Sequence, residues 1–141
     1  MAGTARRQSR PRQRPDMAIH RFITAILRGN PIIVYGDGEQ TRDFTYVSDA
    51  VEATVLAMKC EAVGVALNVG GGSRVTVNHT IELLERIVGR GAIVEHCEAQ
   101  PGDVRHTLAD SSRIRQTLGF APRVGLEEGL RAQVAWLTAQ A

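Results

Sequence analysis

Apolar residues recur at helical spacing in several stretches of this chain, and between them lie apolar runs too short to be helices. Ile19, Phe22, Ile23, Ile26 and Leu27 follow the i, i+3, i+4, i+7, i+8 rule and share one face, which predicts a helix over about residues 16–28. Pro15 and Asp16 suit its start, and Gly29 followed by Asn30-Pro31 its end. Ile32 to Tyr35 reads as a strand, Gly36-Asp37-Gly38 as a turn, and Arg42 to Val47 as a second strand. The two strands are expected to form a hairpin or a wide loop whose tip carries Gly36 to Thr41.

Ser48 or Asp49 can cap a following helix in which Val51, Val55 and Met58 share a face. Ala66 to Val69 reads as a short strand running out into Gly70-Gly71-Gly72. Asn78 is placed to cap a helix with Ile81, Leu84, Ile87 and Val88 facing inward, closed by Gly89. Ile93 to Glu95 is another short strand, and Gln100-Pro101-Gly102-Asp103 a turn. A short helix capped by Asp110 or Ser111 runs to Leu118 and stops at Gly119. A last helix starts near Leu126 with Leu130, Val134 and Leu137 on one stripe and Trp136 beside it. Alternating helices and short strands give an α/β class without repeats.

Composition narrows this further. At 141 residues and 43% hydrophobic, the chain suits one compact domain. No stretch approaches the roughly 18 apolar residues of a membrane span, and no apolar run marks a signal peptide, so the expected location is the cytoplasm. Cys60 and Cys97 have neither CxxC nor metal-ligand spacing and read as buried thiols. The formal charge of +2 conceals an uneven distribution, because Arg6, Arg7, Arg10, Arg12 and Arg14 fall in a stretch without acids. Without them the acidic residues outnumber the basic ones. The leader lacks aromatics for base stacking and the pattern of a transit helix, so a disordered leader is expected, with no nucleic-acid or membrane partner. His20, His79, His96 and His106 form no HxH or HxxxH pair, which argues against a metal site. Gly70-Gly71-Gly72 lacks the GxGxxG spacing of a phosphate loop.

One segment is more specific. Val34-Tyr35-Gly36-Asp37-Gly38-Glu39-Gln40-Thr41-Arg42-Asp43-Phe44-Thr45-Tyr46-Val47-Ser48-Asp49 resembles the VYGDGxQxRDFxYVxD segment of the extended short-chain dehydrogenase/reductases, the NAD-dependent epimerase/dehydratase family. Further strings occur in that family's order: Pro11 to Ala18, Asn68 to Gly72, Gln100 to Arg105 with Ala109-Asp110 behind it, Leu118 to Pro122, and Leu126 to Leu130. The resemblance runs from Pro11 almost to the C-terminus. It divides the chain into an unrelated Arg-rich leader over residues 1–10 and, over residues 11–141, a nucleotide-sugar-binding part. The implied fold is the C-terminal portion of an extended Rossmann-type epimerase, with short strands and amphipathic helices.

The resemblance also implies a site. Arg42 and Arg105 would hold the diphosphate of a UDP-sugar, Asp103 would lie near the ribose, and the segment around Val34 would line the nucleoside pocket. Arg12 to Met17 would cover the sugar. Arginine suits the task, since its planar, permanently charged fork matches phosphate oxygens. The plainer alternatives are a surface ion pair of Arg42 with Asp43 or Glu39, a turn role for Asp103, and core positions for Val34 and Phe22.

The family's chemistry implies NAD on a GxxGxxG loop and a YxxxK pair, and neither motif occurs here. Tyr35 and Tyr46 are not followed by the required lysine, and Lys59 is the only lysine. The expectation is therefore that this chain alone binds no cofactor and is not catalytic. A separate NAD-binding half, or a homo-oligomer, would be its partner. A UDP-glucose 4-epimerase-like subtype is preferred over a UDP-glucuronate 4-epimerase, a dTDP-sugar dehydratase, or a non-enzymatic binding module.

Overall fold

In the computed structural model, residues 17–140 are described. The predicted first helix is present as α1 (Ala18–Arg28), with Ile19, Ile23 and Ile26 buried, and Gly29 ends it in the left-handed conformation at φ 71°. Pro15, Asp16 and the leader lie outside the described residues, as does Arg12. After α1 come β1 (Pro31–Tyr35), β2 (Thr41–Asp43), α2 (Val47–Met58), β3 (Arg74–Thr76), α3 (Val77–Val88), β4 (Ile93–Cys97), α4 (Ser112–Leu118) and α5 (Leu126–Thr138). Among the described residues, no helix is long and apolar enough to cross a membrane.

Of the two expected arrangements, hairpin or wide loop, the loop is formed. β1 pairs in parallel with β4, Ile33 opposite Glu95, while β2 pairs antiparallel with β3, Arg42 opposite Val75. The turn between β1 and β2 therefore carries the chain from one two-stranded sheet to another. Alternation along β1 explains the choice. Ile32 and Val34 are buried while Pro31 and Tyr35 are exposed, so one face of the strand needs helices over it. α1, α3 and α5 supply that cover. Ile23, Ile26, Leu84 and Leu130 meet Ile32 and Val34 in the main core, with Phe22 packed at its margin.

A second, smaller core joins α2 to α4 and the chain that follows it, through Ala53, Ile114 and Phe120 with Leu56, Leu67 and Leu118. Polar contacts tie the same region to the approach to α5. The buried Asp49 carboxylate accepts a hydrogen bond from Val124 N at 3.1 Å, and Arg123 pairs with Glu52 at 2.8 Å.

Several local expectations are corrected. The second strand stops at Asp43, and α2 starts at Val47 from an N-cap at Tyr46 without a side-chain cap, because Asp49 spends its carboxylate on Val124. α3 is capped by Thr76, whose hydroxyl accepts from His79 N, and not by Asn78. Ala66 to Val69 pairs with no strand among the described residues. The face of α2 carrying Val51, Val55 and Met58 is exposed rather than packed. Cys60 is only half-buried and Cys97 is exposed, since every residue of β4 is exposed, so neither is the buried thiol expected.

Candidate functional site

The turn after β1 is the pivot of the site. Gly36 and Gly38 both adopt positive φ, 78° and 77°, a conformation that side-chain-bearing residues avoid. The turn is pinned from α3: Asn78 Nδ2 donates to Asp37 O at 3.0 Å and to Glu39 Oε1 at 2.7 Å, and Asn78 N donates to Gly38 O at 3.1 Å. A side chain at position 38 would collide with Asn78. The role of Asn78 is thus to hold the turn.

β2 leaves this turn with β3 along one edge and the chain segment 105–107 along the other. Thr41 N donates to Arg105 O at 2.8 Å, Thr107 N donates to Thr41 O at 3.2 Å, and the hydroxyl of Thr41 lies 3.0 Å from His106 Nδ1. This ladder brings Arg42 and Arg105, separated by more than sixty residues in sequence, to one end of the molecule. Arg42 Nη2 donates to Asp103 Oδ1 at 2.6 Å, and its Nη1 donates to Thr41 O at 2.9 Å and Val104 O at 2.8 Å. Arg105 Nη2 donates to Asp37 Oδ2 at 2.8 Å.

The structure therefore gathers three of the sequence-designated residues, Arg42, Asp103 and Arg105, and adds Asp37. The surface pairing considered for Arg42, with Asp43 or Glu39, is replaced by the pair with Asp103. Asp43 instead turns inward, where Oδ1 accepts from Gly71 N at 2.9 Å and Oδ2 from Ala109 N at 3.1 Å. It thereby fixes the glycine run and the segment behind Arg105 onto β2. The side chain of Val34 is buried in the main core. Met17 is exposed at the N-cap of α1, and its carbonyl accepts from Arg21 N at 3.1 Å.

Hydrogen bonding from Arg105, reinforced by Glu39 N, holds the Asp37 carboxyl below the ordinary aspartate range. A lowered folded value means that the pair is present above the unfolded aspartate range. It is lost only as pH falls through the lowered folded value, so the Asp37–Arg105 contact persists throughout the neutral range.

A separate groove of about 250 Å³ lies between the β2–α2 connection and α5, walled by Phe44, Tyr46, Val47, Leu126 and Gly129, with Gln133 at its base. Tyr46 packs closely on Gly129, a ring carbon standing 3.0 Å from where a Cβ would be. Among the described residues, no group of histidines, cysteines or carboxylates is arranged to hold a metal.

Asp37, Asp43 and Asn78 were missed as site-building residues. Asp37 lay in plain view inside the Gly-Asp-Gly turn, but its partner is 68 residues away. No local spacing reports such a pairing.

The profile of the GDP-mannose 4,6 dehydratase family matches residues 4–133. The chain is 40% identical over 129 residues to an uncharacterized UDP-glucose epimerase of Bacillus subtilis (strain 168), covering 91% of this chain and 41% of that protein. It is also 40% identical over 127 residues to a UDP-glucuronate 4-epimerase of Thermodesulfobacterium geofontis (strain OPF15), covering 89% of this chain and 39% of that protein. Among solved structures, the Bacillus cereus UDP-glucuronic acid 4-epimerase in complex with UDP-glucuronic acid and NAD superposes with a TM-score of 0.89 at 38% identity, over 93% of this chain and 42% of that one. MoeE5 in complex with UDP-glucuronic acid and NAD does so with a TM-score of 0.88 at 45% identity, over 93% and 44%. The chain thus spans about two fifths of the length of the curated relatives it matches. It belongs to the GDP-mannose 4,6 dehydratase family, within the extended short-chain dehydrogenase/reductases.

Proposed function

We propose that this chain is the nucleotide-sugar-binding part of an NAD-dependent epimerase or dehydratase, and that Arg42 and Arg105 hold the diphosphate of a UDP-sugar. One observation supports the reading: the β2 ladder brings Arg42 and Arg105 from distant segments into contact, with Arg42 Nη1 3.5 Å from Arg105 O, next to a turn held by Asn78. A diphosphate needs donors fixed in direction, and rigid backbone on both sides of β2 supplies that direction. Asp103, paired to Arg42, is the ribose contact in this reading. Arg12 and Met17 would approach from the sugar side.

The whole activity belongs to this proposal rather than to the chain alone. The sequence contains neither a GxxGxxG loop nor YxxxK. NAD is bound by the solved neighbours named above, and in this reading it is held by the part of the fold that their additional length represents. That part would pack on the exposed face of α2 and on the unpaired residues 66–69. UDP-glucose and UDP-glucuronate are both candidate substrates, since MoeE5 is seen in complex with either.

Calorimetric titration of the full chain with UDP, UDP-glucose and UDP-glucuronate tests the proposal. UDP is expected to bind, and Arg105→Ala to weaken it by roughly tenfold, as expected for loss of a charge-assisted hydrogen bond worth at least about 1.5 kcal/mol. NAD is expected not to bind. A cooperatively melting protein that ignores all three uridine ligands would refute the assignment. A tighter fit to UDP-glucuronate than to UDP-glucose would select the uronate epimerase over the UDP-glucose enzyme.

A further inference from the structure

The two arginines are committed to very different degrees. Both Nη1 hydrogens of Arg42 go to backbone oxygens of Thr41 and Val104, and Nη2 is held by Asp103. Its side chain is 28% exposed. Such a residue staples the 103–105 segment to β2 and meets a diphosphate with its two remaining hydrogens, on Nε and Nη2. Arg105 is 62% exposed and makes one side-chain contact, the 2.8 Å pair with Asp37. It is the arginine free to turn towards an arriving anion.

We infer that Asp37 is a built-in counter-ion, which a nucleoside diphosphate must displace from Arg105 and which thereby limits the affinity of the site. This rests on the reading of Arg105 as a diphosphate ligand. A carboxylate and a phosphate compete for the same planar fork of donors, so only one can take it at a time. The backbone of Asp37 is fixed and its carboxylate is anchored locally, although the side chain is 53% exposed. Its second oxygen accepts from Glu39 N at 3.0 Å, its own carbonyl is held by Asn78, and glycines of positive φ flank it on either side. Once displaced, the carboxylate remains beside the bound anion and repels it. Removing the charge while keeping the shape therefore raises affinity on two counts.

The test is a double-mutant cycle on the full chain, titrated with UDP and with inorganic pyrophosphate: wild type, Asp37→Asn, Arg105→Ala and the pair together. Asparagine retains the oxygen that accepts from Glu39 N. Asp37→Ser offers a second short acceptor should the first variant melt early. Asp37→Asn is expected to tighten UDP binding roughly three- to tenfold, the range that loss of one exposed competing pair and its like charge allows. In the Arg105→Ala background the same substitution is expected to gain less than about twofold. An equal gain in both backgrounds would show a general charge effect and overturn the inference. So would an unchanged affinity in Asp37→Asn and Asp37→Ser beside a weakened Arg105→Ala, an outcome that leaves the diphosphate reading standing. No binding of UDP by any well-folded variant would instead overturn that reading, and the counter-ion role with it.

Discussion

Adding a single methyl at position 71 is expected to destabilise the protein by about 3 kcal/mol or more and to lower its melting temperature by roughly 10 °C. The Cβ of an alanine there would be driven into the backbone carbonyl oxygen of Phe44. That atom cannot give way as the end of a flexible side chain would, because it sits between β2 and the start of α2. Retreat of the Gly71 backbone is blocked as well, since its N–H is held at 2.9 Å by Asp43. Gly71→Ala must therefore break the Asp43 contact or displace Phe44, which packs against the main core.

Asp43→Ala attacks the same junction from the other side. It leaves the amides of Gly71 and Ala109 without their acceptor, at a cost of about 2–3 kcal/mol. The two substitutions share one junction, so together they are expected to cost clearly less than their sum. Thermal melts of the singles, the double and Gly91→Ala check this. Gly91 has negative φ and meets nothing nearer than Glu85 Oε1 at 3.9 Å, so its variant is expected to melt like wild type. A Gly71→Ala protein as stable as Gly91→Ala would show that the junction is not built as described.

The same junction explains what could be read from the sequence. α1 and α5 were legible because one helix face buries one periodic set of residues, and each period is recorded locally. Gly29, Gly89 and Gly119 were legible as helix ends, and each takes the left-handed conformation there. Strand partners were not legible. Ile32 to Tyr35 announces a strand, but its pairing with β4 across sixty residues depends on which helices cover its buried face. The site was half legible for the same reason. Arg42 and Arg105 were singled out by the strings around them. That Asp103 would pair with the first and Asp37 with the second is a consequence of the β2 ladder, which no spacing encodes. For Val34 the sequence left two readings open, a nucleoside-pocket position from the resemblance and a core position, and the burial along β1 shows its packing in the core.

α2 gives the second large prediction. Val47, Val51, Val55 and Met58 fall at i, i+4, i+8 and i+11 and form one apolar stripe, with Val51 55% and Met58 81% exposed. Val63, Val65 and Val69 extend the exposed apolar surface beyond the helix. The opposite face is already satisfied, for Ala53 and Leu56 pack against Ile114 and Phe120. A stripe of this kind beside an unpaired extended segment carries the free-energy gain of burial without a partner to realise it. The chain by itself is therefore expected to self-associate at micromolar concentration. Val51→Lys combined with Met58→Lys is expected to return it to a monomer while leaving the melting transition within about 2 °C, because neither side chain touches a core. Sedimentation velocity over a concentration series, alongside thermal melts, decides the matter. A wild-type protein that stays monomeric at the highest concentration would mean that the stripe is covered within the chain or too weak to drive association. Loss of the melting transition in the lysine variant would mean that Val51 and Met58 support the α2–α4 core after all. Monomerisation with the transition intact would identify this face as the surface through which copies of the chain associate.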